Sequence, residues 1–332
     1  MRIAKKLAAI GAAALCIHLL ICSGIPGRLE QSAIDHIVFR RNAASAAAVS
    51  PPASGAVKAA ASPAPSAAAG GTVPASAISA AEKAIPTTIS GGLNVKNETK
   101  YDIDAAALLK AGPSIKLAGG KPQILIIHTH SSEAYAPAGL DKYDNSDSTR
   151  TEDKRYNIIR VGDELTEKLT AAGLSVIHDR SIYDYPSYTG SYTRSGEAVQ
   201  KYLKDNPTIK IVIDLHRDAL IAGEEVYKTV AAEDGVCASQ IMLLSGTDES
   251  GLTNPKWREN LKLALYMQNA VTAKYPTLMR PVEIVPQRYN LHLTTGSLIL
   301  EVGSSGNTLQ EALAAVRLFG DTAGPALAKL IE

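Results

Sequence analysis

The sequence predicts an α/β fold of three layers, with a mixed but mostly parallel sheet and helices on both faces. Three observations carry this. From residue 124 onward, short β-branched runs alternate with amphipathic helical stretches. One run, Ile124-Leu-Ile-Ile127, is apolar at every position, as a strand covered on both faces must be. A segment turning at Glu233-Asp234-Gly235 reads as a hairpin, which makes the sheet mixed.

The elements follow in order. Met1 to Lys6 is a short basic head, and Leu7 through Ile25 carries no charged residue. Such a run spans a bilayer with its basic end left in the cytoplasm, so 1–26 is expected to be an uncleaved single-pass membrane anchor. Cleavage after Cys22-Ser23-Gly24 is the alternative. Lipidation at Cys22 is disfavoured because Ile21 stands where a small residue is wanted. Residues 27–42 are mixed and charged, and from Ala43 to about Ser90 the composition falls to Ala, Pro, Ser, Gly and Val. Such a stretch cannot bury enough apolar surface to offset its ordering entropy. Residues 27–92 are therefore expected to be a juxtamembrane segment and linker, giving an extracytoplasmic domain at 93–332 some reach from the membrane.

In that domain the first strand is Ile124 to Ile127. A helix is expected over Asp153 to Ala172, with Ile158, Leu165 and Leu169 on one face and Gly173 as its stop. A second strand, Ser175 to Ile177, precedes a tyrosine-rich loop and a helix from Ser195 to Lys204. The third strand is Ile209 to Asp214. Val226 to Ala231 and Ala238 to Leu244 are expected as the hairpin arms. Asn254-Pro255-Lys256 opens a helix with Trp257, Leu261, Ala264, Gln268 and Val271 in a stripe. Strands follow at Val282 to Val285 and Ser297 to Val302. The end of the chain is helical from Thr308, with a break at Gly320 and a capping box from Thr308 and Glu311.

Composition narrows the function. A formal net charge of +1 gives no case for nucleic acid. The domain holds one cysteine, Cys237, so it has no internal disulfide. Tyrosine is common (13) and phenylalanine rare (2), and the tyrosines between Tyr135 and Tyr202 suit either a polar groove or the capping of strand ends.

Three strands end in chemistry. The first is followed by His128-Thr-His130-Ser-Ser-Glu133, the third continues into Asp214-Leu-His216-Arg217-Asp218, and the last contains Glu301 among apolar neighbours. Open α/β sheets place their sites at the carboxyl ends of strands. A carboxylate is almost never buried without a partner. Two histidines, a carboxylate and a separate glutamate from parallel strand ends fit a zinc site with one open position and a general base beside it.

These segments, together with Tyr289-Asn290-Leu-His292 and the run from Gly296 through Gly303 to Thr308, resemble the stage II sporulation protein P family of cell-wall hydrolases. The resemblance covers essentially the whole domain and the anchor-and-linker layout. It implies a fold like those of zinc-dependent N-acetylmuramoyl-L-alanine amidases and zinc exopeptidases. It further implies a Zn2+ cofactor, peptidoglycan as substrate, cleavage between glycan and stem peptide, and cutting of peptide cross-links. Septal peptidoglycan removal during engulfment is implied too, with stage II sporulation proteins D and M as partners. The spacing of His130 to Glu133 parallels the exopeptidase pair. His130, Glu133 and His216 are thus the expected zinc ligands, with His128 behind them or in place of His130, and Glu152 as the alternative carboxylate. Glu301 is the expected general base, and Arg217 steadies an oxyanion or a stem-peptide carboxylate. His292, Asn290 and Arg288 are expected to contact substrate. Two rival readings remain: a carboxypeptidase-like zinc peptidase with Arg217 or Arg194 as carboxylate clamp, and a wall-binding scaffold without catalysis.

Overall fold

The computed structural model describes residues 93–136, 149–222 and 225–332. The expected anchor (1–26) and linker (27–92) lie outside these residues, and among the described residues no helix is long and apolar enough to cross a membrane. The strands are β1 (Val95–Asn97), β2 (Ile124–Ile127), β3 (Val176–His178), β4 (Ile211–Asp218), β5 (Ile221–Ala222), β6 (Glu225–Val226), β7 (Ala231–Glu233), β8 (Val236–Ala238), β9 (Ile241–Gly246), β10 (Val282–Val285) and β11 (Ser297–Ser304). The helices are α1 (Ala105–Ala111), α2 (Ile158–Ala171), α3 (Ser191–Asp205), α4 (Trp257–Thr272) and α5 (Leu309–Ala328).

Seven strands form one sheet in the order β1-β10-β9-β11-β4-β2-β3. Every neighbouring pair is parallel except β11 and β9. The sheet is thus two parallel blocks running in opposite directions, and β2, β4 and β11 bring their carboxyl ends to the same edge. The mixed character expected from the hairpin is real, but its cause is different. The hairpin is the small β7–β8 pair, turning at Asp234 and Gly235 with φ of 51° and 75°. Ile241–Gly246 leaves it to run against β11 in the main sheet.

Alternation along the strands divides the residues between two faces. Ile124 and Ile126 of β2, Ile211, Ile213 and Leu215 of β4, and Leu298, Leu300 and Val302 of β11 join the main core with residues of α2, α4 and α5. Leu125, Ile127 and Val212 turn the other way and meet Val199 of α3. Helices therefore cover both faces, but unevenly. On the second face α3 lies against β2, while Ile299 and Leu244 meet Tyr289 and Leu291 of the loop before β11. Asp214, His216, Asp218 and Glu301 share this second face by parity with Val212 and Ile299.

Some boundaries shift for local reasons. α2 begins at Ile158 rather than Asp153, because the Asn157 side chain accepts from the Ile159 amide and caps it there. α3 extends to Ser191 at its start and Asp205 at its end. β4 runs on to Asp218, so His216 lies within a strand rather than after one. The expected break at Gly320 does not occur: α5 is continuous, and its capping box is formed by Thr308 and Glu311. Gly320 is small for another reason. A Cβ there would lie 2.5 Å from Lys168 Cβ, and one at Gly324 would lie 2.8 Å from Ala172 Cβ. Both glycines let α5 close on α2, across which Arg317 Nε donates to Glu164 at 2.7 Å.

Candidate metal centre and active-site cavity

β2 ends at Ile127, and the chain then turns back on itself through Glu133, whose amide donates to the His130 carbonyl at 3.1 Å. Asp184 pins this turn: it accepts from the Ser132 amide (3.0 Å), the Ser132 hydroxyl (2.6 Å) and Arg150 (2.7 Å). His130 and Glu133 are thereby aimed at β4. His130 Nδ1 stands 3.4 Å from Glu133 Oε1, and His216 Nδ1 stands 3.4 Å from Glu133 Oε2. One ligand atom from each of the three residues fits within 4.8 Å of the others, and all three residues are buried.

The electrostatics explain why these groups tolerate burial. Burial pushes the Glu133 carboxyl up, but Arg217 and the two histidines outweigh it and hold it well below the usual carboxylate range. Burial pushes His216 down, but Asp214 and Glu133 raise it well above its ordinary value. His130 is lowered, chiefly by burial. Its Nε2 is buried without a hydrogen-bond partner among the described residues. Its ring stacks on Tyr188 at 4.5 Å and meets Tyr192 edge-on at 5.5 Å.

These residues fit a zinc ion on the chemistry of the donor set. Atoms sharing one tetrahedral zinc, with bonds of about 2.0–2.1 Å, lie roughly 3.4 Å apart; the His130 imidazole stands at that distance from one Glu133 oxygen and the His216 imidazole from the other. A buried imidazole held between two carboxylates marks a place that favours positive charge. The outer support is also built. Asp214 Oδ1 lies 2.9 Å from His216 Nε2 and accepts from the Thr129 amide at 2.8 Å, while Thr129 Oγ1 donates to Asp214 Oδ2 at 2.6 Å. A carboxylate behind a ligating histidine fixes its tautomer and ring plane.

Glu301 sits beside His216 in register across β11 and β4. Its side chain is half-buried, and its Oε2 is buried with no hydrogen-bond partner among the described residues. Burial raises its pKa to about 8, with Asp218 adding to the effect. A cavity of about 220 Å³ opens here. His130, Glu133, His216 and Glu301 form one end, with Tyr192 and Tyr289 beside them. Asp218 and Arg280, with Glu283 of β10 and Lys96 of β1, complete the polar lining, and Met242, Leu244 and Ile299 form its apolar floor.

Other expected site residues are placed elsewhere. His128 is turned away from the cluster: Nδ1 is 2.9 Å from the Leu215 carbonyl, Nε2 is 2.8 Å from His178 Nε2, and burial takes it down to about 3. It supports the strand that carries His216 and is not in the ligand group. Glu152 is exposed, lies in a bend before α2, and is outside the cluster. Arg217 lines the cavity, but its guanidinium donates to the carbonyls of Ala134 (3.0 Å) and Thr149 (3.1 Å). Its amide donates to Glu133 Oε2 at 3.2 Å. It thereby positions the Glu133 turn.

The three expected substrate contacts do not line the cavity. Asn290 ties the loop to α3 through the Tyr192 carbonyl at 2.8 Å, and Arg288 reaches the Thr253 carbonyl at 3.4 Å. His292 is half-buried and lowered to about 4, mainly by burial. The backbone turns at Tyr289 with φ of 50°, and Tyr289 is the residue that enters the cavity. Asp214 was legible, since Asp-x-His on a strand puts both side chains on one face. Arg280 and Lys96 carry no local signal: sheet order alone brings them here.

Comparison with known proteins gives the following. A family model described as Stage II sporulation protein P (SpoIIP) matches residues 66–323. The curated Stage II sporulation protein P of Bacillus subtilis (strain 168) is 25% identical over 220 residues, 63% of this chain and 52% of the relative. The chain thus matches about half the length of that relative. Among solved structures, the N-acetylmuramoyl-L-alanine amidase AmiC2 of Nostoc punctiforme is 12% identical, with 64% of this chain and 98% of that one covered and a TM-score of 0.38. The apo form of the amidase Ami1 from Mycobacterium abscessus is 13% identical, with 64% and 99% covered and a TM-score of 0.39. The CwlD amidase from Clostridioides difficile, solved in complex with the GerS lipoprotein, is 13% identical, with 63% and 98% covered and a TM-score of 0.37.

Proposed function

This chain belongs to the stage II sporulation protein P family, and from that premise we propose that it is a metal-dependent peptidoglycan hydrolase, an N-acetylmuramoyl-L-alanine amidase acting on septal peptidoglycan. The reading is carried by one observation: His130, Glu133 and His216 converge on one face of the sheet while Glu301 lies in register with His216. The same proposal includes a membrane anchor at 1–26, reach through 27–92, an extracytoplasmic domain, cross-link cleavage, and cooperation with stage II sporulation proteins D and M. The anchor, linker and extracytoplasmic placement rest on the sequence pattern, and cross-link cleavage and the partners rest on the family resemblance.

His130, Glu133 and His216 would hold a zinc ion, which when bound supplies a Lewis acid that acidifies water and polarises an amide carbonyl. The Asp214 carboxylate, 2.9 Å from His216 Nε2, backs the imidazole on the side away from Glu133. Arg217 and Asp184 hold the turn that presents Glu133 and His130. Glu301 takes the proton of the attacking water and returns it to the leaving amine, and a carboxyl raised toward neutrality suits both transfers. Tyr188 and Tyr192 shield the His130 ring from solvent.

The carboxypeptidase-like reading loses support because its two candidate clamps are engaged by main-chain carbonyls. Arg217 is held as described, and Arg194 bonds the carbonyls of Tyr183, Thr189 and Ser187. The test is zinc content and muropeptide release by the purified full chain and by Glu301→Gln. The parent is expected to hold about one zinc and release stem peptides. Glu301→Gln is expected to keep the metal and lose about 10²–10⁴ in rate. A parent without zinc that leaves peptidoglycan intact overturns the reading in favour of a wall-binding scaffold.

A further inference from the structure

Three cationic side chains line the cavity: Arg217, Lys96 and Arg280. Arg217 is engaged by carbonyls, as described. Lys96 is 59% exposed and paired with both Glu98 and Glu283. Arg280 differs from both. Its side chain is 14% exposed, and its single side-chain partner among the described residues is Asp218, met through Nη1 at 2.7 Å. Nε and Nη2 remain without protein acceptors among the described residues.

We propose that Arg280 is a carboxylate-binding subsite of this cavity, selecting substrates that carry a free carboxylate about two residues beyond the scissile amide. The hydrolase reading is its premise. The placement follows from β4. Asp218, which holds Arg280, lies two residues beyond His216 on the same face, about 7 Å along the strand. A two-residue stretch of extended peptide covers roughly that distance. Orientation follows from Asp218, which fixes one edge of the planar guanidinium and leaves the other donors for an incoming anion. Charge agrees as well. The cavity holds four carboxylates (Glu133, Asp218, Glu283, Glu301) against the three cations, and a seated divalent ion makes the sum positive. The apolar floor of Met242, Leu244 and Ile299 gives the intervening peptide a surface to lie on.

The probes are the γ-methylamides of N-acetylmuramoyl-L-alanyl-D-isoglutamate and of its isoglutamine counterpart, which differ only in α-carboxylate against α-carboxamide on the second residue, the γ-carboxyl being blocked in both. Equilibrium binding is measured on the full chain carrying Glu301→Gln, so that no turnover intervenes. The isoglutamate form is expected to bind at least about tenfold more tightly, the worth of a hydrogen bond to a charged group. Adding Arg280→Gln is expected to bring the ratio close to one, while Arg280→Lys retains part of it. In turnover with Glu301 intact, Arg280→Gln is expected to raise KM for the carboxylate substrate and leave kcat within a few-fold.

Equal binding of the two probes by the Arg280 chain overturns the proposal without any variant at that position. A ratio unchanged by Arg280→Gln, or equal weakening of both probes, overturns it too. A chain that keeps the ratio but cleaves no peptidoglycan loses the hydrolase reading and not the subsite. A chain that cleaves but shows no ratio loses only the subsite.

Discussion

Asp214 shows how much one side chain behind a ligand can decide. It touches His216 Nε2 at 2.9 Å and is itself held by Thr129, so the imidazole plane is fixed before any ligand arrives. Asp214→Asn keeps the shape and removes the charge. It is expected to weaken zinc binding about 10–100-fold, as removal of such supports does elsewhere, read by competition against a chelating dye while circular dichroism stays native. At this scale the sequence was informative wherever chemistry and strand position coincided. His130, Glu133, His216 and Glu301 stand out as polar groups at the ends of apolar runs, and the structure brings them to one cavity. It did not separate Arg217, which lines the cavity, from Asn290, His292 and Arg288, which do not. Asn290 and Arg288 donate to main-chain carbonyls, and whether a donor meets a carbonyl or a cavity depends on loop geometry that no local pattern encodes.

α2 and α5 pack closely on the main-core face, and their contact is set by absent side chains as much as by present ones. In an exposed helix Gly→Ala gains about 1 kcal/mol. At Gly320 the added methyl would meet Lys168 Cβ at 2.5 Å, and overpacking of that kind costs typically 1–3 kcal/mol. Gly320→Ala is therefore expected to destabilise the protein by about 1 kcal/mol, against its helix propensity, as a lowered urea midpoint at unchanged slope. The same glycine explains a misreading. A glycine late in a helical stretch reads as a stop, yet here the helix continues, because tertiary contact supplies the reason for its smallness. Where caps are encoded locally, as at Thr308 and Glu311, sequence and structure agree. The start of α2 is an intermediate case: Asn157 is a good cap, but four polar residues before it blur the boundary.

Over the whole molecule, the reversal of strand direction between β11 and β9 leaves one half of the sheet for the ligand turn and the other half for the cavity's far wall. The alternation of strands and helices made the fold class legible. Strand order was not, because it joins segments with no shared local signature. Metal held by the proposed ligands His130, Glu133 and His216 should act on the entire fold, since they would tie the β2 turn to β4. Free zinc at a hundred times its dissociation constant is expected to stabilise the chain by about 2.7 kcal/mol, raising the melting temperature by several degrees, and a chelator should reverse the shift. The pairing of β1 with β10 has a further bearing. Lys96 and Glu283 meet across a sequence separation of 187 residues, and Glu301 joins His216 only when β11 has been made. Long-range pairings of this kind form late and slowly during folding. A nascent or truncated chain lacking β11 has no Glu301 and an incomplete cavity. On the hydrolase function proposed above, such a chain lacks its general base through most of its synthesis and gains it only with the last strand, a delay written into the order of the strands.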